Sequence, residues 1–427
     1  MNAPPLRAFL TARYGRGFRS RTEIEAWQAA GMARLRKTIM PRSPFYAAHA
    51  SRPIADWPLM NKARLMEHFT GINTCGIHRD HALEVALRSE ESRDFSPMIG
   101  GVAVGLSTGT SGQRGLFLTN GRERALWAAV MCGRFWPAPL LSRQRIAFFL
   151  RANNALYESL SNALMQFRFY DLLSDFPAHL PELNRQNPTV LIAPAQILGL
   201  IAKAQQRGEI GIAPKRIISV AEVLSPEDST LTETVFGLRP DQAYQCTEGV
   251  LGYSCRHGSL HLNERYIRFD RDVIDDETGA FCPVITDFTR ESLPILRYRL
   301  DDVLIPDPDP CPCGCASQRL TRIEGRADDI LWWPGVDGRP RLVPSDAIRQ
   351  AVATLPVPVR DYRVIQQGER LDIWLDTSVP EIAGPALQHA LTRLAAGLGC
   401  RAPAMQVHRG LPASPDAKRR RVIVKRA

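Results

Sequence analysis

The stretch LSTGTSGQRGLFLTN, Leu106 to Asn120, sets Ser107, Thr108, Gly109, Thr110, Ser111, Gly112 and Gly115 between two apolar runs, Val102–Leu106 and Leu116–Leu118. Glycines let the backbone turn its N–H groups inward without a Cβ in the way, and hydroxyls add donors that suit phosphate oxygens. A strand–loop–strand element of this composition reads either as a triphosphate cradle or as a Ser/Gly-rich surface turn. The spacing GxxxxGK[ST] is absent, so the loop is not that of a Walker-type NTPase. What separates the two readings lies further down the chain.

Outward from this loop, 427 residues exceed what one hydrophobic core usually holds, so two or more domains are expected. Hydrophobic residues make up 44 %, an ordinary share for a globular protein, and no window approaches 18 uninterrupted apolar residues. The first residues, MNAPPLRAFLTARYGRGFRSR, carry scattered charge and no apolar core of a secretory signal. The expectation is a cytoplasmic protein with no membrane partner. The formal charge of +10, from 54 basic against 44 acidic residues, suits an anionic ligand such as a nucleotide or coenzyme A. It would also suit nucleic acid, but no helix-turn-helix, RNA-binding signature or aromatic–basic interleaving appears, so none is expected as a partner. The run Lys418–Arg426 (KRRRVIVKR) carries much of the excess and reads by default as a solvated charge run.

Several local patterns are legible. Thr22 followed by Glu25 reads as a capping box ahead of a helix through Met32 and on to Ile39, which PRSPFYAAHA breaks. Val190–Ala193 and Arg216–Ala221 read as strands, and Pro194–Gln206 as a helix. Ser225–Val235 reads as a second helix, with Ser225 as N-cap and Pro226 in the first turn. Such alternation argues for an α/β sheet domain. After the Pro- and Cys-rich segment Pro306–Cys315, a smaller unit has strands at Tyr362–Gln366 and Arg370–Leu375 and a helix near Pro385–Gly397. A hinge is placed at Arg326–Asp329, dividing residues 1–325 from 326–427.

Four later segments bear on the opening loop: AYQCTEG (Ala243–Gly249), RYRLDDV (Arg297–Val303), EGRADDI (Glu324–Ile330) and SPDAKRRR (Ser414–Arg421). Taken singly, a Thr–Glu pair is a turn, paired aspartates a solvated loop and a late lysine nothing in particular. Their joint order is hard to obtain by chance. In that order the chain resembles the adenylate-forming superfamily of acyl-CoA synthetases, and within it the phenylacetate–CoA ligase-like branch. The resemblance spans nearly the whole chain, including RSPFYAAH (Arg42–His49), PLMNKARLMEHF (Pro58–Phe69) and CPCG (Cys311–Gly314) ahead of RIEGRADDI.

The resemblance implies a large α/β adenylation domain, its β-sheets flanked by helices, and a small mobile α+β C-terminal domain. It implies ATP-dependent activation of a carboxylic acid, aromatic or arylalkyl by branch, through an acyl-adenylate, then transfer to coenzyme A. A carrier-protein thiol, an amine or a cofactor hydroxyl stays open as the acceptor, as do a homodimer and a nucleotide-binding homologue that has lost catalysis. By position, Ser107–Gly115 would hold the far phosphates, Glu248 would bind Mg²⁺, and Thr247 would contact the α-phosphate. Asp302 would accept the ribose hydroxyls with Arg326 beside it, and Ser219–Glu222 with Tyr244 would line the adenine site. Lys418 matches the mobile lysine that bridges carboxylate and α-phosphate. The chain departs from the family where Gln113 replaces the loop lysine, leaving Arg114 to supply positive charge. It departs again at Trp332–Arg341, where extra residues replace a compact glycine turn, and at Ala417, which stands for a glycine.

The nine cysteines are odd in number and no export signal appears, so a disulfide framework is not expected. Cys255, His261, Cys311 and Cys313 form a candidate tetrahedral set, with His257 or Cys315 as substitutes. The spacing departs from standard zinc-finger patterns and leaves buried unliganded cysteines as the other reading. The resemblance favours a structural Zn²⁺.

Overall fold

The computed structural model describes residues 5–92, 94, 96–107, 114–137, 139, 142–150, 165–327, 330–357, 359, 361–412 and 421–425. Thr108, Gly109, Thr110, Ser111, Gly112 and Gln113 of the opening loop, the hinge pair Asp328–Asp329, and Ala417 and Lys418 lie outside them.

The apolar runs on either side of the loop form β2 (Val102–Leu106) and β3 (Leu116–Thr119), which with β1 (Met98–Ile99) make a three-stranded antiparallel sheet. Ser107 N–H donates to Gly115 O at 2.7 Å and Gly115 N–H donates to Ser107 Oγ at 2.8 Å. These bonds clasp the two stems of the loop.

The central sheet has twelve strands among the described residues. One half is parallel: β4 (Gln144–Leu150), β5 (Met165–Asp171), β6 (Val190–Ala193), β7 (Arg216–Val220) and β8 (Asp241–Cys246), in the order β5-β4-β6-β7-β8. Helices Ala195–Gln206 and Pro226–Phe236 make the crossovers that parallel pairing requires. Ser225 Oγ accepts from Asp228 N–H at 3.0 Å, the cap expected from its position. Across β8 the sheet turns antiparallel through β9 (Gly249–Ser254), β10 (Leu260–Leu262), β11 (Ile267–Asp275), β12 (Ala280–Asp287), the short β13 (Tyr298–Arg299), β14 (Asp302–Pro306) and β15 (Arg319–Arg326). β12 is buried along its whole length.

Two expectations shift. Strand β7 stops at Val220, not Ala221, because Ala221 adopts φ +63°, a left-handed conformation outside the β region. The cap of helix Arg21–Arg34 is Ser20, whose Oγ accepts from Glu23 N–H at 3.2 Å while Glu23 carboxylate accepts from Arg19 N–H at 2.8 Å. The segment SRTEIE offers two overlapping S/T-x-x-E patterns, and the one whose helix buries Ile24 and Gln28 prevails. This helix docks far along the chain. Trp27 Nε1 donates to Arg265 O at 2.7 Å, Gln28 Nε2 donates to Glu264 O at 3.0 Å, and Arg21 pairs with the buried Glu264. Helix Pro5–Tyr14 lies on helix Gly121–Phe135 where Gly133 permits close approach, since a Cβ there would meet Ala12 Cβ and Phe9 O at 2.7 Å.

Residues beyond β15 build a separate core from Leu331, Trp333, Ile348, Val364, Ile373 and Leu387 among others. The extra residues at Trp332–Arg341 fall in an antiparallel hairpin, β16 (Leu331–Pro334) with β17 (Pro340–Val343). Helix Ser345–Ala353 follows, then β18 (Tyr362–Gln367), β19 (Arg370–Leu375), β20 (Ala404–Arg409) and β21 (Val422–Lys425) in the order β20-β19-β18-β21, with helix Ala383–Gly397 between β19 and β20. Among the described residues no helix is long and apolar enough to cross a membrane.

Candidate active site

A cleft of about 2410 Å³ opens where the central sheet changes from parallel to antiparallel. Ligand sites of open α/β sheets form at the carboxyl ends of such strands. Here Glu222 follows β7, and Thr247–Glu248 is the two-residue turn joining β8 to β9. Asp302 and Arg326 reach the same cleft from facing positions on β14 and β15, and Ser107 and Tyr244 complete the set that the structure brings together.

Glu248 is held from two sides: Thr247 Oγ1 donates to its Oε2 and Tyr298 O–H donates to its Oε1, both at 2.9 Å. A carboxylate has about four lone-pair sites, so two donors fix its plane and leave capacity for a hard cation. Burial, with the Glu248 charge beside it, pushes the Tyr298 hydroxyl far up, so it stays a donor. Sequence reasoning quoted Tyr298 within RYRLDDV but gave it no part; its signal was the aromatic residue four positions before the second acid.

Asp302 is oriented in the same way. Tyr244 O–H donates to Oδ2 at 2.7 Å, and Arg326 Nε stands 3.9 Å from Oδ1. Burial raises the Asp302 carboxyl above its ordinary value, while the Tyr244 bond and the Arg326 charge pull it back. The Tyr244 hydroxyl is pushed well up by burial and by the Asp302 charge. The Cys246 thiol is pushed up by burial first and then by the neighbouring carboxylates, which keeps it neutral.

Glu222 accepts at Oε2 from Gln196 N–H, 3.1 Å away in the first turn of helix Ala195–Gln206, where a negative charge also suits the helix dipole. Ala221 before it carries its left-handed φ without the freedom of glycine, which typically costs on the order of 1–2 kcal/mol. Arg114 forms an ion pair with Glu90, and its Nε donates to Ser107 O at 3.4 Å. Its charge is balanced within the protein.

At its other end the cleft is apolar. Phe148 on β4 and Phe167 on β5 pack with ring centroids 5.5 Å apart. Met131 and Phe135 from helix Gly121–Phe135 and Val220 from β7 complete the wall, and Trp127 Nε1 donates to Gln245 Oε1 at 3.3 Å at its edge. The lip is formed in part by Ser345, Arg349 and Gln350 on helix Ser345–Ala353.

Away from the cleft, the ligand atoms of Cys255, His261, Cys311 and Cys313 all lie within 4.8 Å of one another. Cys255 Sγ is 3.7 Å from Cys311 Sγ, and Cys313 Sγ is 3.5 Å from His261 Nε2. His261 Nδ1 is bonded to Ser317 O at 2.9 Å, leaving Nε2 toward the cluster. His257 and Cys315 do not join the group: each gives its backbone N–H, to Cys255 Sγ and Cys313 Sγ respectively, at 3.4 Å. Four soft or borderline donors so arranged, with N–H groups turned on two sulfurs, fit a tetrahedral metal with no open position.

No family model matches the chain, and no curated protein matches it in sequence. Solved structures do match in shape. A 2-hydroxyisobutyryl-CoA ligase in the postadenylation state, in complex with an acyl-AMP, superposes with a TM-score of 0.64 at 15 % identity, over 99 % of this chain and 94 % of that one. The same ligase in an open conformation with 2-HIB-AMP and CoA gives 0.62 at 14 % identity, over 97 % and 95 %. An amide bond synthetase from Marinactinospora thermotolerans gives 0.50 at 13 % identity, over 74 % and 67 %. The mixed α/β architecture of this chain, nearly end to end, is therefore the fold seen in that 2-hydroxyisobutyryl-CoA ligase.

Proposed function

We propose that the protein is an ATP-dependent carboxylate ligase that makes an acyl-adenylate and passes the acyl group to the thiol of coenzyme A. The observation that carries this reading is the pair Glu248 and Asp302, each fixed by a tyrosine hydroxyl in one cleft at the parallel-to-antiparallel change of the sheet.

In the first step a substrate carboxylate oxygen attacks the α-phosphorus of ATP, the bond to the bridging oxygen of the β-phosphate breaks, and pyrophosphate leaves. Catalysis of such a step rests on positioning and on stabilising the charge that builds on phosphate oxygens. Asp302 would accept hydrogen bonds from the ribose hydroxyls and set the register of the α-phosphate, with Arg326 adding a donor to the ribose. Thr247 would donate to the α-phosphate, and the Ser107–Gly115 loop would wrap the far phosphates. Glu248 would hold Mg²⁺, which supplies charge neutralisation of the phosphates when bound. Lys418 would reach in from the C-terminal unit. We place the boundary at residue 326 and assign residues 326–427 a rotation between the two steps, which would withdraw Lys418 once the adenylate has formed.

The aromatic wall of Phe148, Phe167 and Trp127 supports an aromatic or arylalkyl acid as substrate. The test is a panel of carboxylic acids assayed for pyrophosphate release, followed by AMP release with coenzyme A, an amine or a carrier protein as acceptor. Adenylation with an aryl acid and AMP release dependent on coenzyme A is the expected result. AMP release with an amine alone would reassign the acceptor, and no pyrophosphate from any acid would sink the proposal.

The Cys255/His261/Cys311/Cys313 group would hold one structural Zn²⁺, joining the β9–β10 hairpin to the segment before β15. Metal analysis should give about one zinc per chain. Cys311→Ser should abolish it and lower the melting temperature by several degrees or more. A ratio near zero in the unaltered protein would remove the metal from this account.

A further inference from the structure

Gln113 leaves the phosphate loop without its own lysine, and Arg114 is paired with Glu90. Two other cations, Lys62 and Arg290, stand together at the edge of the cleft. A small second cavity beside the cleft has Lys62, Thr247, Glu248, Arg290 and Tyr298 on its polar side, and its other walls are apolar. Lys62 and Arg290 also line the main cleft.

The chain brings Lys62 there by defined steps. Met60 N–H donates to Arg297 O at 2.9 Å and Arg299 N–H donates to Met60 O at 2.8 Å, an isolated bridge that fastens PLMNK beside Tyr298. Asn61 then caps helix Lys62–Glu67, its Oδ1 accepting from Arg64 N–H at 3.0 Å. Lys62 lies over the end of the phosphate loop, for a Cβ on Gly115 would stand 3.4 Å from its Cγ and 3.5 Å from its Cδ and Cε. Leu116 N–H, 3.2 Å from Met66 Sδ, ties the same helix to β3. The Lys62 ammonium forms no ion pair or hydrogen bond among the described residues.

Arg290 stands behind it and is only 9 % exposed. One nitrogen, Nη2, donates to Leu118 O at 3.2 Å, while the buried Nε has no partner. Asp287, whose carboxyl feels the Arg290 charge, gives Oδ1 to Thr289 N–H and Oγ1–H, each at 2.6 Å. Asp287 balances part of the Arg290 charge, but a buried N–H donor without a partner is costly, and an arriving anion would satisfy it.

We infer that Lys62, backed by Arg290, is the anion-binding pair for the β- and γ-phosphates of the nucleotide, and so for the leaving pyrophosphate, in place of the lysine missing at Gln113. This rests on the adenylation reading above. It assigns Lys62 a binding role at the leaving-group end and none in the thiol step. The ammonium serves as a point charge that follows the phosphates, while the guanidinium, fixed by burial, sets where they stop.

The experiment needs no knowledge of the acid. Binding of Mg-ATP and of AMP to the full chain is measured by titration calorimetry for the unaltered protein, Lys62→Gln and Lys62→Arg, with melting temperatures to verify folding. Lys62→Gln should weaken ATP about ten- to one-hundred-fold and leave AMP within twofold, because AMP lacks the far phosphates. Lys62→Arg should recover most of the loss, and inorganic pyrophosphate should compete with ATP less well in Lys62→Gln than in the unaltered protein. An unchanged ATP-to-AMP preference in Lys62→Gln overturns the inference, as does an equal loss of both nucleotides. An unaltered protein that binds neither nucleotide instead overturns the reading of the cleft itself.

Discussion

The two ends of the cleft are built in different ways. At the polar end, Thr247 precedes Glu248 in one turn, Asp302 faces Arg326 across one strand pair, and a tyrosine hydroxyl holds each carboxylate. At the apolar end, Phe148, Phe167, Met131 and Val220 come from separate strands and a helix and meet through apolar packing. The polar end needs fixed directions, so its groups come from short, rigid connections with their partners already in place. The apolar end needs volume and shape, which many combinations of side chains would satisfy. On the proposed function, nucleotide recognition would be the inflexible part of this cleft, and acid recognition the part open to change.

The sharpest way to break that contrast is Asp302→Ala. Losing the carboxylate that would take the ribose hydroxyls should cost about 100-fold in AMP affinity, with ATP weakened alike. Equal AMP binding in calorimetry would show that the polar end is not the nucleotide end. Phe167→Ala should act on the other side only. For the best acid of the panel, the KM should rise about tenfold through lost apolar contact, while ATP affinity stays put. A parallel loss in ATP affinity would erase the division between the ends.

The smallest effect concerns pH. Burial raises the Asp302 carboxyl, and the bond from Tyr244 lowers it again. Asp302 must be ionised to accept hydroxyl hydrogens, so AMP affinity should fall on the acid side at a pH above the ordinary carboxylate range. In Tyr244→Phe that fall should begin at a higher pH, since removing the donor favours the protonated acid. A profile that does not move, or moves to lower pH, would mean that Tyr244 does not tune Asp302.

The same division governs what the sequence disclosed. That Thr247, Glu248, Asp302 and Arg326 meet in one cleft was legible because each sits in a short motif whose spacing is set by one turn or one strand pair. The alternation of β6, helix Ala195–Gln206, β7 and helix Pro226–Phe236 was legible to within a residue or two, because Ser225, Pro226 and the apolar runs act locally. Tyr298 and Arg290 were passed over, since their importance comes from contacts with Glu248 and with the cleft that only folding creates. Arg114 looked like a free cation until Glu90 arrived from 24 residues earlier in the chain. The cluster of Cys255, His261, Cys311 and Cys313 lay between these cases. Its donors were visible in the sequence, but its closure depends on the antiparallel pairing of β10 with β15.

The docking of helix Arg21–Arg34 has a consequence for how the protein is made. Its bonds from Arg21, Trp27 and Gln28 to Glu264 and Arg265 span 236 to 243 residues of chain. At ordinary synthesis rates the ribosome needs roughly 12–50 s to add that much polypeptide. For that interval the side chains of Trp27 and Gln28 lack their native hydrogen-bond partners. The growing chain thus carries this helix without its native docking surface until the middle of the central sheet appears. Its yield in a cell should depend on chaperones that shield nascent apolar segments more than its finished stability would suggest.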